Sequence, residues 1–236
     1  MTAWPHGVGL LRLDEIDSTN EEARRRAEAG ERGPLWILAQ RQTAGRGRRG
    51  AVWQAEAGNL TATLLLSPYG NFAQLSFAAA LATADLAQHF APDARVKVKW
   101  PNDVLADGRK LAGILLESGP DWLAIGIGVN LVGHPEATEF PATSLAALGA
   151  TPPAPEEALT VLAARLAHWY DRWMKDGFEV LRAAWLARAP EVGAPIRARL
   201  PHETRHGLFE GIDASGALLL REASGVRAIT AGEVFF

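Results

Sequence analysis

Four short runs between Arg95 and Val129, separated by tight-turn residues, limit the fold more than any other feature of the chain. Arg95 to Trp100 alternates, with Val96, Val98 and Trp100 on one side and Lys97 and Lys99 on the other. That period of two is the pattern of a half-exposed strand. Pro101-Asn102-Asp103 ends it. Val104 to Ala106 and Leu111 to Glu117 flank Asp107-Gly108, a dipeptide suited to a two-residue hairpin turn. Gly119-Pro120-Asp121 then returns the chain into a further strand, Trp122 to Val129. Successive hairpins predict an α+β fold: a mostly antiparallel sheet with helices packed on one face.

The remaining segments fit around that sheet. Val8 to Leu13 reads as an opening strand, and Ser18-Thr19-Asn20-Glu21 as a capping box for a helix running to about Gly30. Leu35 to Gln40 and Asn59 to Ser67 are strand-like, and Phe72 to Phe90 is Ala- and Leu-rich enough for a buried helix. After the stiff Thr151 to Pro155 link come two amphipathic helices, Glu156 to Trp173 and Phe178 to Arg188. Pro190 to Pro195 marks a boundary. The expected division is a larger domain, 1–190, and a small β-barrel, 191–236, whose short strands alternate with glycines. A barrel of that size needs docking to the larger domain for stability.

Composition excludes several classes of function. With no cysteine, disulfides, zinc-thiolate sites and thiol nucleophiles are ruled out. No histidine pair has convincing metal-ligand spacing, so no metal site made by protein side chains is expected. The net charge of −3 argues against a dedicated nucleic-acid coat. The first residues lack a charged segment followed by an apolar run, and Leu60 to Leu66 is far too short to span a bilayer. A cytoplasmic protein without membrane association is expected.

Four segments carry chemistry. In Gln42 to Trp53, the run Gly45-Arg46-Gly47-Arg48-Arg49-Gly50 combines fork-shaped cations suited to phosphate or carboxylate with glycines that let backbone N–H groups approach an anion. Three glycines make regular structure there unexpected. Lys99-Trp100-Pro101-Asn102-Asp103 presents an amide and a carboxylate on a rigid turn, though Asn and Asp after Pro are common in plain turns. Arg109 and Lys110 open an apolar strand with Gly113 inside it, a mark of close approach by a ligand or another backbone. Gly126-Ile127-Gly128-Val129-Asn130 clears one strand face, for a flat ligand or for tight helix packing.

Their order and combination, with Ser18-Thr19-Asn20 in front, closely resemble the biotin protein ligases, the biotin–[acetyl-CoA-carboxylase] ligases. The resemblance extends from about Leu11 to the C-terminus. It implies a class II aminoacyl-tRNA synthetase/biotin ligase-like catalytic domain followed by a small SH3-like barrel. It implies two half-reactions. Biotin and ATP, with Mg²⁺ as activator, give biotinyl-5′-AMP and pyrophosphate. A lysine of the biotin carboxyl carrier protein domain then takes the biotinyl group and releases AMP.

Carried over position by position, the resemblance implies biotin contacts from Ser18, Thr19, Asn20, Gln42, Gly45, Arg46, Gly47, Arg48 and Lys110, with Gly113 and Gly128 flooring the biotin slot. It places Arg48, Arg49, Trp53, Asn102, Lys110 and Asn130 near the nucleotide. Lys110, Arg46 and Asp103 are the expected catalytic residues, Asp103 orienting or deprotonating the incoming amine. Gln42 to Trp53 is expected to act as a lid, ordered by an anionic adenylate. Ala51 stands where many members have a basic residue, which should weaken the lid's electrostatics slightly.

Only 17 residues precede Ser18, too few for the helix-turn-helix domain of some members, so a short form that does not bind DNA is expected. Exposed hairpin edges would permit a homodimer. Two rivals remain: a lipoate or octanoate ligase of related fold, whose own arginine- and glycine-rich motif ending in His is not found, and a nucleic-acid-binding protein using the arginine loop. The second would need interleaved aromatics, and Trp53 is the only one nearby.

Overall fold

Asp107 and Gly108 both take positive φ, 49° and 76°, the geometry a two-residue hairpin requires. In the computed structural model, which describes residues 3–67 and 70–235, this turn joins β5 (Asp103–Ala106) to β6 (Arg109–Ser118). With β1 (Gly9–Ile16), β2 (Leu35–Gln42), β3 (Leu60–Leu66), β4 (Val96–Lys99) and β7 (Leu123–Val129), they form a seven-stranded sheet in the order β1-β2-β3-β7-β6-β5-β4. β1 and β2 run parallel, joined through α1 (Thr19–Glu28); the other neighbours are antiparallel. α1 ends where Gly30 adopts φ 97° and Glu31 N donates to Arg26 O at 2.9 Å.

Period two splits the two faces. Leu60, Ala62, Leu64 and Leu66 join Trp36 and Leu38 in the main core with α2 (Leu75–Phe90) and α3 (Pro155–Asp176). On the other face, α1 lays Ala23 and Ala27 against Leu35, Ile37 and Leu65. Helices therefore cover both faces, not one: a parallel β1–α1–β2 crossover carries its helix away from α2. Beyond α1, that second face carries Thr61 opposite Gly128, Thr63 opposite Gly126, and Gly113 opposite Gly128. Glycine and threonine leave a shallow depression where leucines would have filled it.

The C-terminal segment forms a second, antiparallel sheet of β8 (Pro195–Arg199), β9 (Thr204–Ile212), β10 (Leu218–Glu222), β11 (Gly225–Ile229) and β12 (Glu233–Phe235), ordered β11-β10-β9-β8-β12. This is the SH3-like unit. Its Phe209, Ile212, Leu218 and Val234 belong to the same apolar cluster as Phe77 of α2 and Trp185 of α4 (Phe178–Leu186). Burying such a side chain contributes about 1.5–3 kcal/mol relative to exposure. Trp100 Nε1, just past β4, donates to Gly216 O at 3.1 Å, and Arg182 Nε of α4 to Ile212 O at 2.8 Å, tying the C-terminal segment to the rest of the chain. No helix among the described residues is long and apolar enough to cross a membrane.

Candidate active site

The glycine–threonine face opens into a cleft of about 1070 Å³, solvent at its mouth included. One end is neutral and internally hydrogen-bonded. Ser18, Thr19 and Asn20, at the start of α1, are all buried. Gln42 Oε1 accepts from Thr19 N at 2.7 Å and from Thr19 Oγ1 at 3.0 Å. The Thr63 hydroxyl lies 2.8 Å from Thr19 Oγ1 and 2.7 Å from Asn20 Oδ1. Asn20 Nδ2 donates to Glu117 Oε2 at 2.8 Å. A Cβ on Gly126 would sit 2.2 Å from Asn20 Oδ1, so glycine is required for that seat.

The arginine–glycine segment closes over this end as a tight hairpin. Trp53 N donates to Gly45 O at 3.0 Å, Gly47 N to Ala51 O at 2.7 Å, and Arg46 bridges Val52 in antiparallel fashion. At its tip Arg48–Gly50 makes one 3₁₀ turn, with Arg49 at φ 55° and Gly50 at φ 76°. Regular structure thus survives three glycines because they occupy the turn and a close approach. Arg46 pairs with Glu21 and, at 3.0 Å, with Glu117. Burial pulls Arg48 below the usual guanidinium range, as does Arg49 beside it, while Asp103 and Glu233 act in the opposite sense. The Trp53 indole lies on the Gly113–Gly128 pair: a Cβ on Gly128 would fall 2.3 Å from the ring and one on Gly113 3.0 Å. Trp53 Nε1 is buried without a hydrogen-bond partner.

The other end is charged. Asp103 sits between two ammonium groups, Lys110 Nζ 2.7 Å from Oδ1 and Lys99 Nζ 3.0 Å from Oδ2. Burial alone would raise the Asp103 carboxyl. Attraction to Lys110 and then Lys99 outweighs it and holds the group below its ordinary range. Oδ1 takes no well-aligned hydrogen bond, so attraction to the Lys110 ammonium 2.7 Å away is what chiefly compensates its burial. Lys110 is fixed through its backbone, its N donating to Pro141 O at 2.7 Å and its O accepting from Thr143 N at 2.9 Å.

The cleft brings together Ser18, Thr19, Asn20, Gln42, Arg46, Gly47, Arg48, Trp53, Asn102, Asp103, Lys110, Gly113 and Gly128. Three expected site residues lie outside its lining. Gly45 is buried beneath the Trp53 carbonyl, Arg49 is exposed at the hairpin tip, and Asn130 sits past the end of β7 with Nδ2 donating to Thr143 O at 2.9 Å. The capping box does not form: Ser18 takes the N-cap position without a side-chain cap, and Glu21 is drawn to Arg24 and Arg46. Lys99, expected on an exposed face, is 5% exposed because β12 covers it. The sequence reading also missed Phe140, Glu139, Arg199, Glu233 and Phe235, which line the charged end. No local motif marks them; Arg199 and Glu233 reach the cleft only through the docking of the second sheet. Among the described residues no group of three or more His, Asp or Glu is arranged to hold a metal ion.

A fold of this kind with this cleft defines a class. The Biotin/lipoate A/B protein ligase family matches residues 13–130, and the biotin protein ligase C terminal domain matches residues 192–236. The chain belongs to that family. A Paracoccus denitrificans biotin–[acetyl-CoA-carboxylase] ligase is 48% identical over 95% of this chain and 99% of its own length. The Mycobacterium tuberculosis ligase of the same name is 34% identical over 97% of this chain and 90% of its own. An Aquifex aeolicus biotin protein ligase solved with biotin and ATP superimposes with a TM-score of 0.84 at 28% identity, covering 96% of this chain and 97% of that one.

Proposed function

We propose that this chain is an ATP-dependent biotin protein ligase that makes biotinyl-5′-AMP and passes biotin to a lysine of the biotin carboxyl carrier domain of acetyl-CoA carboxylase. The observation that carries the reading is a single cleft with two unlike ends: a neutral, hydrogen-bonding pocket beside a charged end where Lys110 and Arg48 face the cleft next to Asp103. A ureido ring and an acyl chain suit the first; a carboxylate meeting a triphosphate needs the second.

Thr19, Asn20 and Gln42, already oriented by one another, line the biotin end with Ser18. Gly113 and Gly128 make the flat floor, which Trp53 covers and must share or yield when a planar ligand arrives. ATP is taken as its Mg²⁺ complex, and Arg48, Lys110 and Asn102 serve its phosphates. Asn130, outside the cleft lining, donates to Thr143 O, and Thr143 N in turn donates to Lys110 O, so the pair braces the strand that carries Lys110. Attack of the biotin carboxylate on the α-phosphorus sets anion against anion. Lys110 and the hairpin arginines offset that charge where it builds up. Arg46 is held by Glu21 and Glu117, so an anionic adenylate competes with two carboxylates for it, and that exchange sets how firmly the lid closes. Asp103 then receives the acceptor amine. Use of ATP and of a carrier-protein lysine supports a cytoplasmic location.

The test is mass spectrometry of a purified carrier domain incubated with the protein, biotin, ATP and Mg²⁺. A biotin-sized adduct on one lysine is expected. Faster modification with lipoate in a parallel reaction, or no adduct with either acid, would sink the reading.

A further inference from the structure

Lys99 has no role in the chemistry described above, yet its ammonium is among the most enclosed charges in the molecule, its side chain 6% exposed. It touches every layer of the charged end. Nζ lies 3.0 Å from Asp103 Oδ2, donates to Val234 O at 3.3 Å, and stands 4.0 Å above the Phe140 ring and 5.8 Å from that of Phe235. Lys99 and Asp103 are also register partners across the β4–β5 hairpin. A tie between two sheets that served packing alone would be made more cheaply by an apolar side chain, because a buried ammonium gives up its hydration. The cation here is matched to one particular oxygen.

We propose that Lys99 is a positioning residue for amine transfer: anchored to β12 of the second sheet, it holds Asp103 by Oδ2 while Oδ1 and Lys110 serve the reactants. The inference rests on the ligase reading. Lys110 is the more exposed of the two lysines, its side chain 30% exposed against 6%, and it faces the cleft. Once it turns toward the acyl phosphate, Lys99 is the ammonium left on Asp103. The other charged groups at this end are Arg48 from the lid hairpin, Glu233 of β12, and Arg199 with its partner Glu139. None of them is paired with Asp103.

In the transfer step one proton of the acceptor ammonium passes to Asp103 Oδ1. The freed lone pair forms the N–C bond to the biotinyl carbonyl carbon. The bond from that carbon to the phosphate oxygen breaks, and AMP departs with the electron pair. The second nitrogen proton leaves with the phosphate as the amide forms. Losing Lys99 would leave Asp103 displaced and, buried with one cation fewer, protonated at higher pH.

The experiment separates the half-reactions. Adenylation is followed by pyrophosphate release, and transfer by mixing the isolated enzyme–adenylate complex with carrier domain across a range of pH. For Lys99→Met, transfer at neutral pH should fall roughly 100-fold, of the order of one general base contribution, and its acid limb should move to higher pH. Adenylation should stay within about threefold, and Lys99→Arg should recover part of the transfer. Phe140→Leu, which keeps packing but removes the ring beside Nζ, should shift transfer the same way by about threefold. Equal losses in both half-reactions with an unmoved pH profile would make Lys99 a structural tie and overturn the proposal, as would unaltered transfer in Lys99→Met. Failure of the unmodified protein to form an adenylate would overturn the ligase reading instead, so the two failures are told apart.

Discussion

The two ends of the cleft are built on opposite principles. At the α1 end, the uncharged side chains Thr19, Asn20, Gln42 and Thr63 satisfy one another through short hydrogen bonds. At the β4–β5 end, one carboxylate faces two ammonium groups, and Oδ1 of Asp103 has no well-aligned donor. A site complete without its ligand pre-organises binding and loses little when the ligand arrives. A site with surplus cations attracts anionic reactants and offsets the charge that builds up as they meet. The first end is suited to choosing the acid, the second to activating it.

The largest effect should come from the charged end. Lys110→Ala removes the cation nearest the cleft and leaves Asp103 with Lys99 as its remaining ammonium partner. Adenylate formation should fall about 1000-fold, in the range seen for loss of one strong transition-state donor. Biotin affinity, measured by calorimetry without nucleotide, should change much less. A comparable loss in both would show that the two ends are not separable.

The neutral end answers to a subtler change. Thr63 is fully buried, and Val has nearly its shape. Thr63→Val leaves Thr19 Oγ1 and Asn20 Oδ1 each short of a partner. At about 1–2 kcal/mol for such an unmet group, the biotin Kd should rise roughly 10-fold. The Kd for ATP should be unmoved. A weakened ATP site would mean that the hydroxyl organises the whole cleft rather than one end of it.

The same division governs how much of the site was legible from residue order. At the neutral end the structure gathers Ser18, Thr19, Asn20 and Gln42, all of them named from residue order because they are carried on short motifs. Missing was Thr63, which β3 brings opposite Gly126 of β7 in register; Gly126 itself was read as clearing the strand face. The meander from β4 to β7 was predictable from Asp107-Gly108 and its neighbouring turns. The charged end was half read. Asp103 and Lys110 were found, but period two assigned Lys99 to solvent beside Lys97, which is indeed exposed. Alternation reports which side chains share a face. It is silent on whether a strand more than 130 residues away, such as β12, will later cover that face. Glu21 shows the converse failure: its spacing suits a capping box, and a stronger partner, Arg46, draws it away.

The smallest effect lies at the root of α1, where the neutral end is supported by a charge that never enters the cleft. Asp17 receives two hydrogen bonds from Arg25, both 2.9 Å, and its Oδ1 accepts from Ser18 N at 2.7 Å. The Arg25 contact holds the Asp17 carboxyl at about 2, below the 3.8 of an unperturbed aspartate. A depressed carboxylate contributes stability that is fully present above about pH 4 and is lost as pH falls toward about 2. Both side chains are two-fifths or more exposed, so solvent screening reduces the contribution to about 0.5–1 kcal/mol. Asp17→Asn should therefore unfold at slightly lower urea than the unmodified protein at pH 7. The gap between the two should narrow as pH is lowered through that window. Biotin affinity at neutral pH should be nearly unchanged, because Thr19, Asn20, Gln42 and Thr63 hold one another without Asp17. A tenfold loss of biotin affinity in Asp17→Asn would mean that the neutral end borrows its order from an ion pair, erasing the contrast between the two ends.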